Sequence, residues 1–134
     1  MSGYKINEIE EAIVQTIKEV THHTNIKLGT PEGYWMGYDN TLPLILVSYT
    51  GAEPYEKLYP GTLSFSLFFV HNKEKGSRQK IYEMMRTVFE KLQNNYAGLE
   101  YLNGFFQLQS DKFYYEDSDY LVFEQQYICM YISL

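Results

Sequence analysis

Three groups of residues in this chain could do chemistry. His22 and His23 are adjacent and could bind a metal ion. Cys129, the only cysteine, could act as a nucleophile with His71 as its base. The stretch DKFYYEDSDY, residues 111–120, holds four acids in ten residues and could hold calcium. Each weakens on inspection. Adjacent residues on a helix point ~100° apart, so one ion does not easily reach both histidines, and no CxxC or HxxxH accompanies them. Cys129 sits in an apolar strand pattern, where cysteines are usually inert. The acidic stretch lacks the glycine that a calcium loop needs for its turn, and reads instead as a charged hairpin tip. GxSxG, P-loop, GxGxxG and HExxH motifs are all absent. The expectation is no catalytic residue, no metal and no cofactor: not an enzyme.

The elements that carry these residues are regular. Ile6, Ile9, Ile13, Val14, Ile17 and Val20 recur at spacings of three and four and predict an amphipathic helix over 5–21. Ile81, Met84, Met85, Val88, Phe89 and Leu92 predict a second over 78–94, with Ser77 as its N-cap. LPLILVSYT, 42–50, reads as a strand covered on both faces. GAEPYEKLYPG, 51–61, reads as a turn. GTLSFSLFFVHN gives a strand over 62–71, in which Leu63, Phe65 and Leu67 share one face and Phe68 and Val70 fall on the other. A third strand begins at 105–109, with room to run to Tyr115; a fourth covers 120–133. The fourth has ambiguous phase, which a bulge near Glu124-Gln125-Gln126 would reconcile. The order is helix, strand, strand, helix, strand, strand. It predicts a single α+β domain, 1–134, with a four-stranded mainly antiparallel sheet and two helices packed on one face.

Composition bounds the partners. The chain has 134 residues and a net charge of −6, which gains nothing from counterion release on nucleic acid and disfavours an anionic membrane surface. Its longest apolar run, LPLILV, is far short of the ~20 residues of a membrane span. The acidic N-terminus is unlike a signal peptide, and one cysteine excludes an intrachain disulfide, which together suit synthesis in a reducing cytoplasm. Aromatics reach 17%, with 14 tyrosines, a side chain suited to surfaces wet in one state and covered in another. On the sheet face away from the helices, Ser48, Phe68, Val70, Tyr127, Cys129 and Tyr131 are expected to leave an apolar surface that another subunit covers. Residues 22–41 read as a long loop, with room for a short edge strand, whose YWMGY segment puts Tyr34, Trp35 and Tyr38 among three glycines, a second expected contact. The expected subunit interface is thus Tyr34, Trp35, Tyr38, Phe68, Val70 and Tyr131.

Element order and hydrophobic phase across IEEAIVQTIKEV, LPLILVSYTG, LSFSLFFVHN, YEMMRTVFEKL and YLVFEQQYICMYI resemble the small tail-assembly proteins of Mu-like contractile-tailed phages and prophages, and through them the phage tail terminator and tail completion proteins. The resemblance covers most of the chain. It implies a homo-oligomer, a hexameric ring that caps the tail tube at its head-proximal end, stops tube polymerisation and offers the surface on which the head docks. The implied partners are further copies of the chain, tail tube and sheath proteins, and the head–tail connector. The implied location is the virion tail, after synthesis in the bacterial host cytoplasm. The aromatic 34–38 loop and the acidic 116–119 turn depart from that family's pattern. Other readings are a different neck or head–tail joining protein, a small-ligand-binding or regulatory domain using the Tyr-rich face, and an enzyme centred on Cys129 and His71.

Overall fold

The computed structural model describes residues 6–22, 25–32, 42–55, 58–93, 96–98 and 103–131, with some side chains at the ends of elements left out. Along the chain run α1 (Ile6–Thr21), β1 (Ile26–Leu28), β2 (Leu44–Tyr55), β3 (Leu58–Asn72), α2 (Ser77–Gln93), β4 (Tyr96–Gly98), β5 (Asn103–Glu116) and β6 (Tyr120–Tyr131). They form one sheet in the order β1-β2-β3-β6-β5-β4. Every pairing is antiparallel except β1 with β2, which is parallel.

The two helices and the four long strands follow the predicted order. The four-stranded expectation needs correction, because short strands extend the sheet at both edges. β1 is the short edge strand that the 22–41 loop had room for, and β4 lies in residues read as a helix stop. Three residues are too few to show a period of two, so neither strand has a pattern of its own. β1 is placed by its neighbours: Ile26 is buried beneath α1, Gly29 donates from its N–H to the Val47 carbonyl, and Ile45 donates to the Asn25 carbonyl.

Two features lengthen the central hairpin beyond its predicted ends. Gly51 was expected to end β2. Instead, the register shifts between Tyr49 and Gly51, a bulge that absorbs one extra residue, and the strand continues to Tyr55. At the other end, Gly76 takes φ +85°, a conformation that side chains disfavour, and so closes the turn into α2. Ser77 does not cap the helix as expected. It is the first helical residue, and its hydroxyl accepts from the Glu74 N–H at 3.0 Å, bracing the turn.

The main core lies between the helices and one sheet face. Ile13 and Ile17 of α1 and Ile81, Met85, Val88 and Leu92 of α2 pack on Ile45, Val47, Leu63, Phe65, Leu67, Phe69 and Phe106. β6 settles its phase without the expected bulge. It pairs with β3 in unbroken register from Tyr120 to Tyr131, so Leu121, Phe123, Gln125, Tyr127 and Cys129 all face the helices. The shifts fall in the neighbouring strand β5 instead, between Leu108 and Ser110 and between Phe113 and Tyr115. Gln125 is the residue that made the parity look broken. It is buried in the core, where its Nε2 donates to the Met85 carbonyl (3.1 Å) and its Oε1 accepts from the Tyr127 hydroxyl (2.9 Å). A buried amide with both ends paired costs little.

Candidate functional site

The residues first singled out for chemistry are not brought together. His71 pairs with Leu121 and Cys129 with Leu63, eight residues away along β3. At ~3.3 Å per residue that separation is ~26 Å, far beyond hydrogen-bond reach. Cys129 is fully buried, and burial pushes its thiol pKa up to about 12, the reverse of what a nucleophile needs. His22 takes φ +58° just past α1 and donates from its N–H to the Lys18 carbonyl, which ends the helix. His23 lies outside the described residues. In the acidic hairpin, Asp117 Oδ1 accepts from the N–H groups of Asp119 and Tyr120 at 2.7 Å each, and its Oδ2 accepts from the Tyr115 hydroxyl at 2.8 Å. That carboxylate is held below its ordinary pKa by these bonds and serves the turn. Among the described residues no cluster of three or more potential metal ligands occurs.

The sheet face away from the helices carries a second, smaller core. Leu44, Leu46, Phe68, Val70 and Val122 form it, with Leu42, Tyr114 and Tyr120 packed at its margin. Phe68 and Val70 therefore lie on the face expected of them. The expectation that they wait for a neighbouring subunit is corrected: Phe68 is only 5% exposed and Val70 is fully buried within this chain. Part of the cover comes from Tyr114, whose ring meets Phe68 edge-on at 4.8 Å. The Tyr114 hydroxyl in turn donates to Glu32, which ties the segment carrying Pro31 to this face. That bond stabilises the neutral phenol and pushes its pKa up to about 12. Tyr127 and Cys129, also expected here, point the other way into the main core. Tyr34, Trp35 and Tyr38 lie outside the described residues. Tyr131 pairs through its backbone with Gly61, and its side chain is not among those described.

The remainder of this face is polar. Glu124 is buried, and it accepts from the Ser66 hydroxyl (2.6 Å) and from Gln126 Nε2 (3.3 Å) while Lys112 Nζ stands 3.6 Å away. A buried carboxylate with hydrogen bonds and one cation is a tolerated arrangement, and here it joins β3, β5 and β6.

The most open apolar surface sits elsewhere, on the helix side at the β5 margin. Tyr82 is 42% exposed and Phe113 50%, whereas the exposed Tyr115 pairs with Val122 and so belongs to the far face. Tyr82 and Phe113 both stand edge-on to Phe123, at 5.2 and 5.8 Å between ring centres. The Arg78 guanidinium carbon lies 5.2 Å from the same ring's centre, and its Nη1 donates to the Tyr82 hydroxyl at 3.0 Å. This shelf opens into a groove of about 450 Å³ between α2 and β5, lined by Met85, Arg86, Phe89, Leu108 and Lys112 among others. Preformed aromatic side chains with arginine at their rim are the composition of interface anchors. Sequence reading missed this patch. The available signal was FYY at 113–115, since consecutive aromatics on a strand cannot all face one core. Tyr82, on the polar side of α2, was the other.

Among the described residues no helix is long and apolar enough to cross a membrane. No protein-family model matches the chain, and no curated protein matches it in sequence. Among solved structures it is similar to a chain from the virion of a native gene transfer agent particle. The TM-score is 0.61 at 10% identity, over 98% of this chain and 100% of that one. At that identity the likeness is one of fold, and it runs the whole length of both chains.

Proposed function

We propose that this chain is a structural subunit of a phage-type virion, and within it a tail terminator or tail completion subunit. The observation that carries the reading is the end-to-end likeness of fold to a chain of a gene transfer agent virion. The pattern resemblance to Mu-like tail-assembly proteins supports the finer assignment. In this role the chain forms a ring, hexameric in the assembled tail, that caps the tube and receives the head. Its partners are its own copies, the tube and sheath proteins and the head–tail connector. It acts without a catalytic centre, a metal or a cofactor. A net charge of −6 suits a conduit through which DNA passes without sticking. Tyr34, Trp35 and Tyr38 serve as contact residues toward the tube or a neighbouring subunit.

Deletion of the gene from the phage or prophage that carries it tests the reading. A terminator's loss gives tubes of irregular length that do not join heads. Tubes of normal length without heads assign the chain to the neck instead. Normal, infectious particles reject a role in the virion.

A further inference from the structure

β5 is a long strand at one margin of the sheet, and β4 covers little of it. β4 pairs Tyr96–Gly98 with residues 103–105. From Phe106 to Glu116, no strand among the described residues lies along the outer side of β5. Such an edge is a template for the strand of another chain, because its outward N–H and C=O groups have no ladder partner. Three features of β5 work against that pairing. The first is its irregularity. β5 carries one extra residue against β6 at Gln109 and another at Tyr114. Each bends the strand and breaks the even spacing of outward groups that an added strand needs. The central pair β3–β6 has no such break, and the other one-residue bulge, at Thr50, lies in β2, the long strand toward the opposite margin. The second feature is Gln93, the last residue of α2. Its Oε1 accepts from the Leu108 N–H at 3.1 Å and so occupies a donor of the edge. The third is charge. Asp111 and Lys112 are exposed midway along the edge, and Lys112 Nζ is held 3.6 Å from the buried Glu124. Residues directly opposite in a sheet share a face. A second copy paired antiparallel about the middle of this edge therefore sets Asp111 against Asp111 or Lys112 against Lys112, and like charges so placed repel.

We propose that the outer edge of β5 is closed to strand addition, with the Gln93 amide as an internal plug, so that a second copy of this chain cannot extend the sheet there. Contacts with other chains at this margin then run through side chains and not through a shared sheet. The inference goes beyond the virion reading and holds whether or not the chain belongs to a tail.

Amide hydrogen exchange and sedimentation velocity on the full chain test this. In the wild-type chain the Leu108 amide exchanges slowly, and residues 107–116 gain no protection as concentration rises. Gln93→Ala speeds exchange at Leu108 by about two- to tenfold, the worth of one hydrogen bond. Gln93→Glu keeps an acceptor at this position and retains most of the protection. Gln93→Ala combined with Asp111→Thr and Lys112→Thr opens the edge. That variant self-associates on the order of tenfold more tightly than wild type, and its 107–116 amides become protected as it does. If loss of Lys112 unfolds the chain by leaving Glu124 without its cation, Gln93→Ala with Asp111→Thr alone carries the comparison. Wild-type association that protects the 107–116 amides overturns the proposal. So does a Leu108 amide indifferent to Gln93→Ala, or a folded edge variant that associates no more than wild type.

Discussion

Gln125 on β6 reaches across the main core to Met85 on α2, with Nε2 donating to the helix carbonyl over 3.1 Å. Its Oε1 accepts from the Tyr127 hydroxyl, so one amide holds a helix, a strand and a buried phenol together. Gln125→Ala leaves that phenol without its partner inside the core. The expected cost is about 2 kcal/mol, read as a lower urea midpoint at unchanged slope. Gln126→Ala, on the other face and half-buried, is expected to cost less. Equal effects of the two changes would reject a special role for Gln125.

Phe68 and Phe113 should separate folding from association. Phe68 belongs to the second core, and Phe68→Ala is expected to lose about 3–5 kcal/mol. Phe68→Asp should fail to fold, because it places a carboxylate in the second core, against the Tyr114 ring and directly opposite the buried Glu124. Phe113→Ala, at half exposure, should cost under about 1 kcal/mol. Thermal melts of the three variants decide; a stable Phe68→Asp subunit would show that the far face tolerates water.

Cys129 is expected to ignore thiol reagents in the native chain at pH 7–8. Its pKa is pushed up to about 12 by burial, so the reactive thiolate is scarce there as well as shielded. In urea the labelling should become fast. Cys129→Ser and His71→Ala are both expected to keep assembly function. Rapid labelling of folded protein, with loss of function in either variant, would reopen the enzymatic reading.

The Glu32–Tyr114 bond predicts a loss of stability in alkali. The phenol's ordinary value is 10.0, and in the fold it stands at about 12, chiefly through its bond to Glu32. The unfolded chain therefore releases this proton first. The contribution is complete below pH 10 and disappears as the pH rises toward 12. Tyr114→Phe should flatten part of the decline between those limits. It should not abolish it, because burial of Tyr127 pushes that phenol up as well. Parallel stability–pH curves for wild type and variant would reject the latch.

The sequence alone determined the two helices, the four long strands, their order and the inward face of β3. These follow from periods of 3.6 and 2, which ten or more residues make unmistakable. It also determined that His22, His71 and Cys129 made weak candidates for chemistry, because the geometry of the neighbours required was missing from the pattern. Tertiary structure decided the rest. β1 and β4 exist because a longer strand offers them an edge, and three residues hold no period that could announce them. The phase of β6 turned on Gln125, a polar side chain that only a helix carbonyl and a distant hydroxyl make acceptable in a core. The far face was rightly separated from the helices for Phe68 and Val70 of β3 but not for Tyr127 and Cys129 of β6, and its cover came from Tyr114 and Glu32, 82 residues apart in the chain. The exposed shelf was the least legible feature. Tyr82 and Arg78 come from α2, Phe113 from β5 and Phe123 from β6, and their meeting depends on the bulges in β5 and the way α2 lies across the sheet, neither of which has a local cause in the sequence.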